Sequence, residues 1–120
     1  MNKCIIKKQI IANDLNKCQN LFIALGNETR LNIINTMLTN ENTGMRVGEI
    51  TKQTHLSRPT VSNHLKILKE SGIISLKKKG TMNFYYINTQ TSKWKELKKL
   101  IDDISLIIKS IDNQEYQKNI

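Results

Sequence analysis

The stretch HLSRPTVSNHLKIL, His55 to Leu68, gathers both histidines of the chain, its only proline, an arginine, an asparagine and three hydroxyl residues. The histidines, nine residues apart, could serve as metal ligands, nucleic-acid contacts or packing groups, but a metal shared by the two lacks a third ligand nearby. The side chains between them have a different chemistry. A guanidinium at Arg58 bonds guanine or a phosphate, the carboxamide of Asn63 makes a bidentate pair with adenine, Ser62 serves either, and Lys66 suits a phosphate. If the stretch is helical with Val61 at the centre of its buried face, a turn of about 100° per residue returns Leu65 and Leu68 to that face. Pro59, Ser62, Asn63 and Lys66 then fall opposite, and Arg58 lies at the N-terminal end. His64 falls roughly 60° from the core centre, which predicts packing and a hydrogen bond inside the domain. His55 begins the turn before Ser57, where it either caps the preceding helix or meets a phosphate.

Charge singles out the same region. The chain has 120 residues, with 19 Lys and Arg against 10 Asp and Glu, a net +9. Residues 58–86 hold six cationic side chains and one acidic one, so over half of the excess sits in about a quarter of the chain. A polyanion is the partner such a surface attracts. Lys77, Lys78 and Lys79 belong to this segment and could bind phosphates flanking a recognition site or enter the minor groove. The alternative is a solvated edge, or lysines that keep a sheet edge from pairing.

Other chemistry is sparse. Cys4 and Cys18 are too few for a disulfide framework and form no CxxC or CxxH pair. They fit a reducing compartment, and the absence of any apolar run as long as a signal or spanning segment predicts a cytoplasmic protein without a membrane partner. No Gly-rich phosphate loop, paired carboxylates in a cleft or nucleophile beside an oriented histidine suggests an enzyme, and no cofactor is called for.

The elements that must position these residues follow from periodicity and caps. Asp14 to Leu25 places Leu15, Cys18, Leu21, Phe22 and Leu25 at helical steps. Gly26 ends that helix and Asn27 caps the next, in which Leu31, Ile34 and Leu38 share a face and which stops within Thr39 to Gly44. A short helix over Val47 to Thr54, a tight turn, and a helix from Arg58 to about Ser71, capped by Ser57 and closed by Gly72, make a helix-turn-helix over 47–71. IISLKKKGTMNFYYIN changes the period and reads as a β-hairpin over 73–87 with a basic tip. Lys93 to Ile111 places Trp94, Leu97, Leu100, Ile101, Ile104, Ile107, Ile108 and Ile111 on a broad apolar stripe, and DNQEYQKNI reads as a frayed tail. The fold class is mainly α with a small β-hairpin, a single winged-helix domain over 1–120. The predicted DNA contacts are Ser57, Arg58, Thr60, Ser62, Asn63, Lys66, Lys77, Lys78 and Lys79.

The span Leu21 to Ile87, through LFIALGNETRLNII, VGEITKQTHLSRPTVSNHLKILKESGII and KKKGTMNFYYI, resembles the ArsR/SmtB winged-helix repressors. The resemblance implies a homodimer paired through its first and last helices, here 14–25 and 93–111, that binds double-stranded DNA at a palindromic operator and represses transcription. The stripe of 93–111 is consistent with this, since a three-helix unit and hairpin already supply one core and leave that stripe in want of another surface. The family's metal sites are not matched. Where metal-sensing members have a cysteine pair, MRVGEI puts Arg46 and Gly48, and the final helix offers Asp102 and Asp103 but no histidine, so no metal is expected. Two alternatives stay open: a thiol- or metal-responsive repressor that uses Cys4 and Cys18, and a winged-helix protein-interaction module whose basic face meets an acidic partner.

Overall fold

The computed structural model describes residues 3–41 and 43–118. In chain order it contains α1 (Lys3–Lys17), α2 (Gln19–Leu25), α3 (Glu28–Thr39), α4 (Val47–Thr54), α5 (Arg58–Glu70), β1 (Ile74–Lys79), β2 (Met82–Ile87) and α6 (Ser92–Lys118). The chain divides into two compact units, one from Asn20 to Trp94 and the other made by residues up to Gln19 with those from Lys95 onward. No helix among the described residues is long and apolar enough to cross a membrane.

In the Asn20–Trp94 unit each helix boundary has a local cause. Asn27 sits in extended backbone and its side chain accepts the Arg30 N–H at 3.0 Å, which satisfies one of the donors a helix start leaves open. At α4 the Glu49 carboxylate accepts the Arg46 N–H at 3.2 Å. That helix ends at His55, which takes a left-handed conformation with φ 60° while its N–H donates to the Thr51 carbonyl. His55 therefore caps the preceding helix, one of its two expected roles. Ser57 starts α5 by accepting the Thr60 N–H, and Pro59 follows in the first turn, where a missing N–H costs nothing. At the other end Ile73 N–H donates to Leu68 O and Gly72 N–H to Lys69 O, the paired bonds of a Schellman motif. Gly72 has φ +80°, and an added Cβ would come within 2.8 Å of Lys93 Cγ, so both backbone and space require glycine there.

Helices α3, α4 and α5 pack on one another, β1 lies against α5, and β2 against α3 and α4. Ile33, Ile50, Val61, Leu65, Leu68 and Ile73 are fully buried. The hairpin pairs Ile74 with Ile87 through Lys79 with Met82, and Gly80 supplies the positive φ its two-residue turn needs. Met45 adds a one-residue bridge to Tyr85, exchanging both backbone hydrogen bonds at 2.8 Å, which ties the chain entering α4 to the hairpin.

The structure corrects three expectations. The buried face of α3 is Ile33, Ile34, Thr36 and Met37, whereas Leu31 and Leu38 are exposed. Thr36 can be buried because its hydroxyl donates to the Asn32 carbonyl at 2.9 Å, so residue polarity misplaced the face. The 14–25 helix is instead the end of α1, a turn at Cys18 and α2, and its buried positions are Asp14, Cys18, Leu21 and Ala24, with Leu15 and Phe22 exposed. The Cys18 N–H is shared between the Asp14 and Leu15 carbonyls, which tightens the chain at that point. Thirdly, the expected frayed tail continues as α6 to Lys118.

In the other unit α1 and α6 are joined by a buried charge. Asp14, only 4% exposed, receives the Lys99 ammonium at 3.0 Å, and Lys99 also reaches Asp103 at 2.9 Å. A hydrogen bond with Asp14, and then the Lys99 ammonium, hold the Asp103 carboxyl below its ordinary value of 3.8. A carboxyl lowered by folding stabilises the fold above its ordinary value, and that contribution is lost as pH falls through the lowered value. Acid unfolding followed by circular dichroism should therefore show part of the loss below about pH 3.8, and Asp103→Asn should remove that part. The backbone of Cys4 lies in the first turn of α1 and that of Cys18 just past its end, and fourteen residues at the helical rise separate them by about 21 Å. A disulfide needs Cα atoms roughly 4.4–6.8 Å apart, so one chain holds the two cysteines apart.

Candidate nucleic-acid interface

Helix α5 separates its two faces as amphipathic spacing requires. Val61, Leu65 and Leu68 have no exposed surface, while Arg58, Pro59, Ser62, Asn63, Lys66 and Lys69 are exposed. Arg58, Ser62, Asn63 and Lys66 thus form one outward strip of donors and acceptors on a helix held rigid from below. Ser57 and Thr60 lie at its start but bond each other: Ser57 Oγ donates to Thr60 Oγ1 at 2.8 Å as well as accepting the Thr60 N–H. Their hydroxyls hold the first turn of α5 in shape.

His64 stands at the flank of this strip, half-buried, and its Nδ1 accepts from Arg30 Nη1 at 3.3 Å. The internal hydrogen bond expected of it is thereby made. Arg30 also donates from Nε to the Ala24 carbonyl at 2.6 Å and from Nη2 to the Ile23 carbonyl at 3.2 Å. These are carbonyls that the C-terminus of α2 leaves without helical partners. One guanidinium therefore ties the end of α2 to the flank of α5. Sequence reasoning passed over Arg30, because an arginine in LGNETRL carries no sign of which carbonyls it will meet. Hydrogen bonds from a charged donor are each worth about 1.5–3 kcal/mol. Arg30→Ala should lower unfolding free energy by at least about that much, measured by urea titration, and Arg30→Lys should recover only a fraction because one ammonium cannot span three acceptors.

The hairpin divides the wing lysines. Paired residues of an antiparallel ladder share a face and successive residues alternate, so Lys77 and Lys79 lie with Phe84 and Met82, and Lys78 lies with Asn83 on the other face. The Lys79 ammonium sits 5.8 Å from the centre of the Phe84 ring. Asn83 and Thr81 line a groove with Arg58, Arg46 and Lys52. The three lysines thus divide between the two faces of the hairpin, with Lys78 on the face of Asn83, which borders Arg58. Among the described residues no group of three or more His, Cys, Asp or Glu side chains comes together that could hold a metal ion.

A tight two-helix turn with an exposed polar recognition strip and an adjoining basic hairpin defines a winged helix-turn-helix protein, a DNA-binding class. The family model for bacterial regulatory proteins of the arsR family matches residues 27–75. The uncharacterized HTH-type transcriptional regulator MJ1325 of Methanocaldococcus jannaschii is 42% identical over 88 residues, covering 73% of this chain and 94% of that protein. The transcriptional repressor SdpR of Bacillus subtilis is 34% identical over 70 residues, 58% of this chain and 74% of its own. Among solved structures, the homodimeric winged helix-turn-helix DNA-binding domain of Mb0332 from Mycobacterium bovis, a possible ArsR-family regulator, superposes with a TM-score of 0.58 at 25% identity, over 77% of this chain and 83% of that one. The chain belongs to the ArsR family. It is a DNA-binding transcriptional regulator and not an enzyme.

Proposed function

We propose that the protein is a cytoplasmic homodimeric repressor that reads a palindromic operator with α5 and releases it without using the family's metal sites. The observation that carries this reading is the exposed strip of Arg58, Ser62 and Asn63 on a helix whose opposite face is wholly buried. Arg58, Ser62 and Asn63 contact bases, Lys66 and the wing lysines Lys77, Lys78 and Lys79 contact phosphates, and Ser57 and Thr60 add contacts at the entry to α5. The homodimeric Mb0332 domain supports the same assembly here, as do the exposed apolar side chains Ile5, Ile6 and Ile10 on α1 and Ile101, Ile108 and Ile111 on α6. Arg46 in place of a cysteine, and a final helix whose aspartates bond Lys98 and Lys99, support the view that no metal is sensed.

Gel shifts with duplexes selected from a random pool test the reading. The parent should prefer selected over scrambled duplex, and Asn63→Ala should lose about 1–3 kcal/mol of that preference while keeping its affinity for scrambled DNA. Equal affinity of the parent for both duplexes would sink it and favour the protein-interaction alternative.

A further inference from the structure

The groove lined by Arg46, Gly48, Glu49, Lys52, Arg58 and Asn83 adjoins the strip that reads bases, sharing only Arg58 with it, and its chemistry is that of an anion seat. Three cations from the start of α4, the last turn of α4 and the start of α5 line one concavity between helix and wing. Its only carboxylate, Glu49, is engaged by the Arg46 N–H. Gly48 supplies an independent indication. It lies in the first turn of α4, it is exposed, it does not have positive φ, and an added Cβ would meet nothing within 4 Å. Nothing among the described residues needs glycine there, and glycine in a helix costs about 0.5–1 kcal/mol relative to alanine. The remaining use of a missing side chain is close approach by something outside the chain, and a helix start presents open N–H donors to such a group.

We infer that this groove seats a backbone phosphate of the bound DNA, held by Arg46 and Lys52 and approached closely at Gly48, and that it fixes the register in which α5 meets the bases. The inference rests on the reading of α5 as the recognition helix. The seat faces the same duplex as that strip, because Arg58 belongs to both. Arg46 thus occupies the position of a family metal ligand with a group of opposite preference, one that draws in the nucleic acid itself.

A phosphate contact contributes to affinity without sequence preference, and each one lost lowers the slope of log affinity against log salt by about one. The test uses the full chain, one selected duplex and its scrambled counterpart, from 50 to 200 mM salt, about the range over which such contacts are felt. Arg46→Ala and Lys52→Ala should each lower the slope by about one and weaken both duplexes equally. Gly48→Ala should raise the melting temperature and yet weaken DNA binding. Slopes unchanged in both charge variants, or a Gly48→Ala protein that melts higher and binds as the parent does, would overturn the phosphate seat while leaving base reading by α5 intact. A parent with no salt-dependent affinity for either duplex overturns the underlying DNA-reading proposal instead. Circular dichroism melts of each variant separate these outcomes from misfolding.

Discussion

Ile108→Glu is expected to turn the proposed dimer into a monomer and to weaken binding to the proposed operator by about 10²–10⁴-fold. Ile108 is about half exposed on the single chain, at 52%, as are Ile101 and Ile111 at 52% and 48%. A surface change of this kind leaves a chain's own stability within roughly 0.5 kcal/mol, so loss of function cannot be laid to unfolding. In a two-fold interface the same residue is buried twice, and a carboxylate there brings two like charges into an apolar contact. Once one subunit is bound, the second half-site is met at high effective concentration, and separating the subunits removes that advantage. Sedimentation equilibrium should report the mass of one chain, while circular dichroism shows that chain still folded, melting lower only by what association contributed. A variant that stays dimeric would move the interface away from the apolar surface of α6.

Leu65→Ala is expected to have the largest effect on the recognition unit itself. Leu65 has no exposed surface and lies between Val61 and Leu68 on the buried stripe of α5, against which α3, α4 and β1 pack. Truncating such a leucine costs about 2–5 kcal/mol, the lost transfer energy plus the cavity left behind. Against a total of roughly 5–15 kcal/mol for a domain, that is enough to lower the melting temperature by roughly 4–8 °C for each kcal/mol. Specific and nonspecific DNA binding should fall together, unlike Asn63→Ala, which should separate them. Calorimetry of Leu65→Ala with a melting temperature unchanged would mean that α5 is not seated on this core.

The recognition helix was legible because three independent signals agreed there: Ser57 before Pro59, apolar residues at Val61, Leu65 and Leu68, and Gly72 after the last turn. The structure shows each in its expected place. The pattern failed where burial is decided by partners instead of residue type. Thr36 and Asp14 are buried because a carbonyl and an ammonium satisfy them, while Leu31, Leu38, Leu15 and Phe22 are exposed. Counting apolar residues turned those helix faces the wrong way. The lysines of the wing were visible as a run, yet the period of two that splits Lys78 from Lys77 and Lys79 becomes meaningful only when the register with Asn83, Phe84 and Met82 is known. Arg30 and the groove around Gly48 depend on residues far apart in sequence, such as Ala24, His64 and Asn83, and no local pattern records such convergence.

The most direct measurement of the central claim is sequencing of the duplexes that the protein retains from a random pool, in parallel for the parent and for Asn63→Ala. The parent should enrich an inverted repeat whose half-sites are centred about 34 Å apart, one turn of DNA or a multiple of it, and Asn63→Ala should relax the preference at one symmetry-related position in each half while the spacing persists. Retained duplexes with no common sequence, or the same sequence in both selections, would contradict a dimer that reads its operator through the exposed face of α5.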